Sequence, residues 1–344
     1  MSKLGVGLIG FGLSGQVFHT PFIRSHDQLD LRAVQSRQTE AVQAVAPEVD
    51  VVDNAASLME RQDIDLIVIT APNELHFPLS EQALQAGKHV LLEKPSVTRV
   101  DEMEALLALA DARGLQFSVY QNRRYDGDFL TLRRLVDSAE LGPLRHLDTR
   151  FDRFRPAVRD RWREQPGIGT GIFWDLGPHL LDQVLVLLGR PKTVQADIRA
   201  LRPGSQTPDW FEVWLDYGDI QVTAGSTPFE AGDMRRFNAR FERGSWQCWG
   251  LDPQEAALRD GAMPDRLQIA DNGLQQATQF DADGRAEHRT VPAGDYRRFY
   301  QALVDSIVQG LPGPVAGDEA RDLIKLLVLL EQSAQGGQRL PWTG

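Results

Sequence analysis

The 344-residue chain is predicted to fold as an α/β protein in two parts. The first is an N-terminal doubly wound parallel sheet, and the second a C-terminal α/β domain on a large open, mostly antiparallel sheet. Three observations carry that prediction. Short apolar strands alternate with helical stretches over the first 120 residues, a glycine-rich turn follows the first strand, and after about residue 121 period-two runs joined by tight turns take over. The expected boundary therefore falls between residues 120 and 121.

The first strand is the apolar run Gly5–Ile9, followed by Gly10-Phe11-Gly12-Leu13-Ser14-Gly15. A strand, a glycine turn and a helix start, in that order, lay a dinucleotide pyrophosphate on the amino end of a helix. Gly10 permits the tight turn, Gly12 lets the backbone approach the phosphates, and Gly15 lets helix pack on strand. The other expected strands are Leu31–Val34, Leu66–Thr70, His89–Leu92 and Gln116–Val119, rich in β-branched and apolar residues as parallel strands covered on both faces are. Between them lie helical patterns at Thr20–Ser25, Thr39–Ala46, Ala55–Glu60, Pro78–Ala86 and Val100–Ala112. Right-handed crossovers then give a doubly wound sheet.

In the second part a helix over Asp126–Glu140 leads into an alternating run from Leu144 to Arg153. Strands follow at Thr193–Leu201, Trp210–Tyr217, Ile220–Ser226, Arg235–Glu242 and Ser245–Trp249, with helices at Gly171–Leu188, Tyr296–Val308 and Gly317–Gln335. An open sheet with an apolar outer face needs covering, so a homodimer or homotetramer through this sheet is expected.

Composition excludes several classes of partner. Hydrophobic residues make up 42% and charged residues 25%, ordinary for a globular enzyme, and the net charge of −11 repels nucleic acid and anionic lipid. Cys248 is the single cysteine, which rules out an internal disulfide and a cysteine-based metal cluster; between Trp246 and Trp249 it reads as a packed thiol. No metal site is expected, and His146 and His288 stand alone. The apolar stretch at residues 4–13 is too short to cross a bilayer, and a cytoplasmic protein is expected.

Cofactor choice is read at the end of the second strand. An acid there bonds a ribose 2′-hydroxyl, whereas a basic residue beside a hydroxyl receives a 2′-phosphate. Ser36-Arg37 stands at that point, and NADP is expected over NAD. Three further segments fall where such a fold gathers its ligand: Thr70-Ala71-Pro72-Asn73 with His76, then Glu93-Lys94-Pro95, and Asp175 with His179. Lys94 can bond a reacting oxygen and stabilise its developing charge. His179 titrates near neutrality and can accept an alcohol proton. Asp175 lies four residues earlier, on the same face of a helix, although Gly177-Pro178 argues against a regular helix there.

These segments together resemble the Gfo/Idh/MocA oxidoreductases over nearly the whole chain. The phrases Gly10 to His19, Asn122-Arg123-Arg124-Tyr125-Asp126 and Asp175 to Gln183 are similar to the subgroup containing NADP-dependent scyllo-inositol dehydrogenases. The resemblance implies an NADP-binding Rossmann domain over 1–120, a substrate-binding and oligomerisation domain over 121–344, and a Lys94, Asp175 and His179 catalytic set. It implies cofactor contacts from Gly10, Phe11, Gly12, Leu13, Ser14, Gly15, Ser36, Arg37, Thr70, Ala71, Pro72, Asn73, His76, Glu93, Lys94 and Asn122. The expected reaction interconverts a secondary alcohol and a ketone on a cyclic polyol or sugar, scyllo-inositol being the leading case. Arg124, Tyr125, Arg155, Arg161, Trp162 and Arg163 are candidate substrate contacts, and the arginines from 159 to 163 suggest a mobile loop over the site. Other readings are a different sugar or dihydrodiol dehydrogenase, a glycosidase using a tightly held dinucleotide, and a non-catalytic NADP sensor. One departure stands out: Cys248-Trp249 precedes Gly250-Leu251-Asp252-Pro253-Gln254-Glu255 where the subgroup often has Lys-Tyr.

Overall fold

The structure, a computed structural model, describes residues 3–267 and 273–343. In chain order its strands are β1 (Leu4–Ile9), β2 (Leu29–Gln35), β3 (Asp50–Val52), β4 (Leu66–Ile69), β5 (His89–Leu92), β6 (Phe117–Val119), β7 (Leu144–Arg150) and β8 (Thr193–Arg199). They continue as β9 (Trp210–Asp216), β10 (Gln221–Ser226), β11 (Arg235–Phe241), β12 (Gly244–Trp249), β13 (Gln276–Asp281), β14 (Ala286–Thr290) and β15 (Leu340–Pro341). The helices are α1 (Thr20–Ser25), α2 (Thr39–Val45), α3 (Ala55–Met59), α4 (His76–Gln85), α5 (Val100–Arg113), α6 (Gly127–Ser138), α7 (Gly171–Leu188), α8 (Gln254–Arg259), α9 (Arg297–Gln309) and α10 (Gly317–Gly336).

The chain divides into two compact units. One comprises Met1–Asn122, Glu255–Gln268 and Tyr296–Arg321; the other comprises Arg123–Gln254, Ile269–Asp295 and Asp322–Gly344. The first break falls beside the expected boundary, but two later segments return to the first unit, α9 among them. A single cut misses this because α9 carries its own buried stripe, Phe299, Tyr300, Leu303 and Val304, whose partners lie almost 300 residues upstream.

The first unit holds a six-stranded parallel sheet in the order β3-β2-β1-β4-β5-β6. The order reverses beside β1, so the crevice outside the carboxyl ends of β1 and β4 is the switch point at which such sheets receive ligands. β3 was absent from the expected strands: three residues at a half-exposed edge carry too little apolar signal.

Among the described residues the second unit holds nine strands in the order β14-β13-β12-β11-β7-β10-β9-β8-β15, all antiparallel neighbours except the parallel pair β7 and β10. α7 covers one face, with Phe173 edge-on to Phe211 of β9 at 5.4 Å. The opposite face was expected to be apolar and is instead mainly polar. Alternation turns Glu212, Asp148, Arg150 and Arg240 to it, and they pair there: Arg150 with Glu212 at 2.8 Å and Arg240 with Asp148 at 2.7 Å. Trp210 and Trp214, the latter 38% exposed, are the large apolar residues that β9 turns to this face.

Gly177 and Pro178 do not break α7, which runs unbroken from Gly171 to Leu188. A Cβ on Gly177 would make ordinary contact with Leu327 and Phe173 at 3.4–3.5 Å, so neither a bend nor a close approach requires glycine here. Packing on the sheet outweighs the backbone bond that Pro178 forgoes.

Candidate active site

In the first unit the carboxyl ends of β1, β4 and β5 bring three of the expected segments together. Gly10 has φ +92°, and an added Cβ would lie 2.8 Å from the Thr70 hydroxyl. That hydroxyl donates to the Ile9 and Gly10 carbonyls at 3.0 Å, stitching the glycine turn to the loop after β4. A Cβ on Gly15 would sit 2.7 Å from the Gly10 carbonyl, whereas one on Gly12 would meet nothing within 4 Å. Gly10 and Gly15 are thus demanded by packing and Gly12 is not; its bare backbone borders open space at the start of a helix. That open cradle fits a dinucleotide pyrophosphate. Phe11 contributes main chain only: its ring is buried and its carbonyl accepts from Gln16 at 2.7 Å, while Leu13 is 52% exposed.

Glu93 is the electrostatic centre of this end of the sheet. Its carboxylate accepts from the Ser14 hydroxyl and from the Lys94 amide at 2.9 Å, and it lies 3.0 Å from His19 Nε2. Burial pushes its pKa up, but His19, Lys94 and Ser14 outweigh burial and hold it at about 2. On the far side His19 Nδ1 stands 2.7 Å from the Tyr300 hydroxyl, and the ring lies against Tyr120 at 4.5 Å. Burial, with Tyr120 and Glu93 nearby, raises the Tyr300 phenol well above its ordinary value. Sequence reading assigned Glu93 to the cofactor and gave no role to Tyr120 or Tyr300. The available signal was a charged residue closing an apolar strand, which needs a buried partner; Tyr300, on α9, is beyond any local pattern.

His76 was expected at the cofactor, and its surroundings give it another place. It is 1% exposed, with Nδ1 2.7 Å from the Pro95 carbonyl and Nε2 2.8 Å from the Ala71 carbonyl. Burial first, against the Pro95 and Ala71 carbonyls, lowers its pKa. The neutral ring has a single N–H, so one of these carbonyls accepts from it; the ring lies between the loop after β4 and the loop carrying Lys94, whose bond to Pro95 is cis. Ala71 and Pro72 belong to the first of these loops, and Asn73, buried, opens the short turn before α4. Ser36 is buried and accepts from the Gln38 amide at 2.9 Å, Arg37 is exposed at the end of β2, and Asn122, buried, follows β6.

In the second unit α7 carries Asp175 and His179 one turn apart. His179 is buried and Asp175 is partly exposed, its carboxylate 3.6 Å from the Arg163 guanidinium. Arg163 in turn lies over the Trp162 ring at 4.4 Å. Arg124, a candidate substrate contact, instead grips Asp182 of α7 with two bonds of 2.7 and 2.8 Å, and both side chains are nearly buried. This pair anchors α7 to the turn before α6. Tyr125 is half-buried beside it, its carbonyl accepting from the Asp295 amide at 3.0 Å. The expected mobile loop is braced: Arg159 bonds Glu164, and buried Arg202 joins Glu164 at 3.1 Å, Asp209 at 3.0 Å and the Ala157 carbonyl at 3.0 Å. Arg202 comes from a loop after β8, and no local pattern links it to residues 157–164. Cys248 is fully buried on β12, and burial pushes its thiol far up, as a packed thiol requires. No residue cluster that could hold a metal ion occurs among the described residues.

Comparison with known proteins agrees with this architecture. Residues 4–121 match the oxidoreductase family with an NAD-binding Rossmann fold, and residues 129–247 match the GFO/IDH/MocA C-terminal domain. The chain is 40% identical over 339 residues to the uncharacterized oxidoreductase YdgJ of Escherichia coli, covering 97% of each. It is 34% identical over 341 residues to scyllo-inositol 2-dehydrogenase (NADP(+)) IolW of Bacillus subtilis, covering 97% of this chain and 95% of that one. Among solved structures, YPO2259 of Yersinia pestis superposes with a TM-score of 0.92 at 39% identity, covering 100% of this chain and 98% of that one. The chain belongs to the Gfo/Idh/MocA family of oxidoreductases, with a nicotinamide dinucleotide as its cofactor.

Proposed function

We propose that the protein is an NADP-dependent dehydrogenase or reductase that interconverts a secondary alcohol and a ketone on a cyclic polyol or sugar. One observation carries this reading: the Lys94 amide is held by buried Glu93, and Glu93 also receives Ser14 of the glycine turn. The residue proposed to act on the reacting oxygen is thereby fixed to the loop proposed to hold the cofactor. The NADP(+) in the name of the Bacillus subtilis relative and the Ser36-Arg37 pair at the end of β2 support the choice of cofactor.

The cofactor, when bound, takes up or supplies the hydride. The backbone around Gly12 receives its phosphates, and Arg37 with Ser36 receives the 2′-phosphate. Lys94 donates a hydrogen bond to the substrate oxygen and favours its alkoxide-like form. His179 accepts the hydroxyl proton in oxidation and returns it in reduction. Asp175 grips a neighbouring hydroxyl or orients His179.

The test is a screen of inositols and aldoses against NADP and NAD, following absorbance of the reduced nicotinamide. NADP should outperform NAD, and Arg37→Glu should narrow or reverse that preference. Lys94→Ala and His179→Ala should each lower kcat by about 100-fold or more while still binding NADPH by fluorescence. Full activity in both variants would refute these roles.

A further inference from the structure

A cavity in the second unit is lined by six arginines, at positions 153, 155, 159, 161, 163 and 202, and by three carboxylates, Glu164, Asp175 and Asp209. The carboxylates are already engaged. Arg202 takes Asp209 and shares Glu164 with Arg159, and Arg163 faces Asp175. The wall thus carries more guanidinium than carboxylate charge, in a chain whose net charge is −11. Burial first, and then Arg159 and Arg163 nearby, hold the Arg161 guanidinium below its usual range, against the opposing pull of Glu164 and Asp175.

Two independent features of the same wall are suited to an anion. Thr207 is 4% exposed and its hydroxyl has no hydrogen-bond partner among the described residues, although it lines the cavity. A buried hydroxyl without a partner costs free energy that a ligand acceptor would recover. The first residues of α7, Gly171 and Ile172, also line the cavity, so an 18-residue helix presents its positive end there. Gly171 is required at φ +84°, where a Cβ would meet the Pro208 carbonyl at 2.8 Å.

We propose that this arginine cavity is an oxyanion subsite: the physiological substrate is a polyol or sugar bearing a carboxylate or phosphate group that Arg161, Thr207 and their neighbours bind beside Asp175. This rests on the reading of Asp175 as part of the catalytic set. Guanidiniums match both anions in planar, forked geometry, so the shared chemistry is an oxyanion. Arg202 and Arg159, both on Glu164, brace the loop from which the exposed Arg161 reaches the cavity.

The experiment pairs steady-state kinetics of the holoenzyme with binding to the free protein. Glucose, glucuronate, glucose 6-phosphate and scyllo-inositol serve as substrates, with inorganic sulfate as competitor. The expected result is a KM for one of the two acids roughly ten- to hundredfold below that of glucose, weakening with salt and lost in Arg161→Gln and Thr207→Val. Whether glucuronate or glucose 6-phosphate wins identifies the anion. Neutral substrates turned over as well as acids, with unchanged KM in both variants, would overturn the subsite and leave the oxidoreductase reading intact. Calorimetric binding of glucuronate or glucose 6-phosphate that depends on Arg161, without turnover of any polyol, would uphold the subsite and refute the proposed reaction. No anion binding by calorimetry would refute the subsite.

Discussion

Glu93 shows how much one buried carboxylate can organise. Its folded-state pKa of about 2 lies below the ordinary glutamate value of 4.5. A depressed carboxyl stabilises the fold fully above its unfolded-state value and loses that contribution as pH falls from 4.5 towards 2. Glu93→Gln should therefore lower stability at neutral pH by about 2 kcal/mol and flatten the acid limb in that window. Denaturant unfolding followed by circular dichroism from neutral pH to pH 2 checks this; an unchanged acid limb would show that the pair with His19 is not what lowers the carboxyl. His76 acts at the same scale through its position: burial disfavours its cation, and the ring lies between the Pro95 and Ala71 carbonyls. Residue type alone could not separate these two, because a histidine that touches ligand and one that clamps loops read identically in sequence.

At the scale of the element, the glycine turn separates packing from function within six residues. Gly15→Ala places a Cβ 2.7 Å from the Gly10 carbonyl and should cost about 1–3 kcal/mol of stability. Gly12→Ala meets nothing within 4 Å, so thermal stability should hold while dinucleotide affinity falls by roughly tenfold. Thermal melts and NADPH fluorescence titrations of the two variants separate these effects; equal loss of stability in both would mean that Gly12 is packed rather than reserved for a ligand. In α7 the opposite lesson holds. Gly177-Pro178 reads as a break, yet the helix continues because its buried face, from Phe173 to Val184, is held on the sheet and by the Arg124–Asp182 pair. Asp175 and His179 keep helical spacing for that reason.

At the scale of the whole molecule, the nine-stranded sheet leaves one face of paired charges around Trp214. We expect self-association through this face into a dimer or tetramer that weakens with salt, because exposed ion pairs are screened. Sedimentation at low and high salt checks this, and Trp214→Glu should shift the assembly towards monomer; a monomer at every concentration would refute it. The parallel sheet apart from β3, the glycine turn and the strands from β7 to β12 were legible in the sequence, whereas β13, β14 and β15 were not. Each legible element rests on local periodicity or on a turn that few residues can make. Lys94, Asp175 and His179 were legible as candidates through their place in those elements. Tertiary structure alone decided the rest: the return of α9 to the first unit, the Glu93–His19–Tyr300 chain, the clamp by His76, and the gathering of arginines from residues 153–163 and 202 around one cavity. Those arrangements join residues distant in sequence through buried charge and hydrogen bonds. Their stability depends on desolvation and partner geometry, which no local pattern encodes.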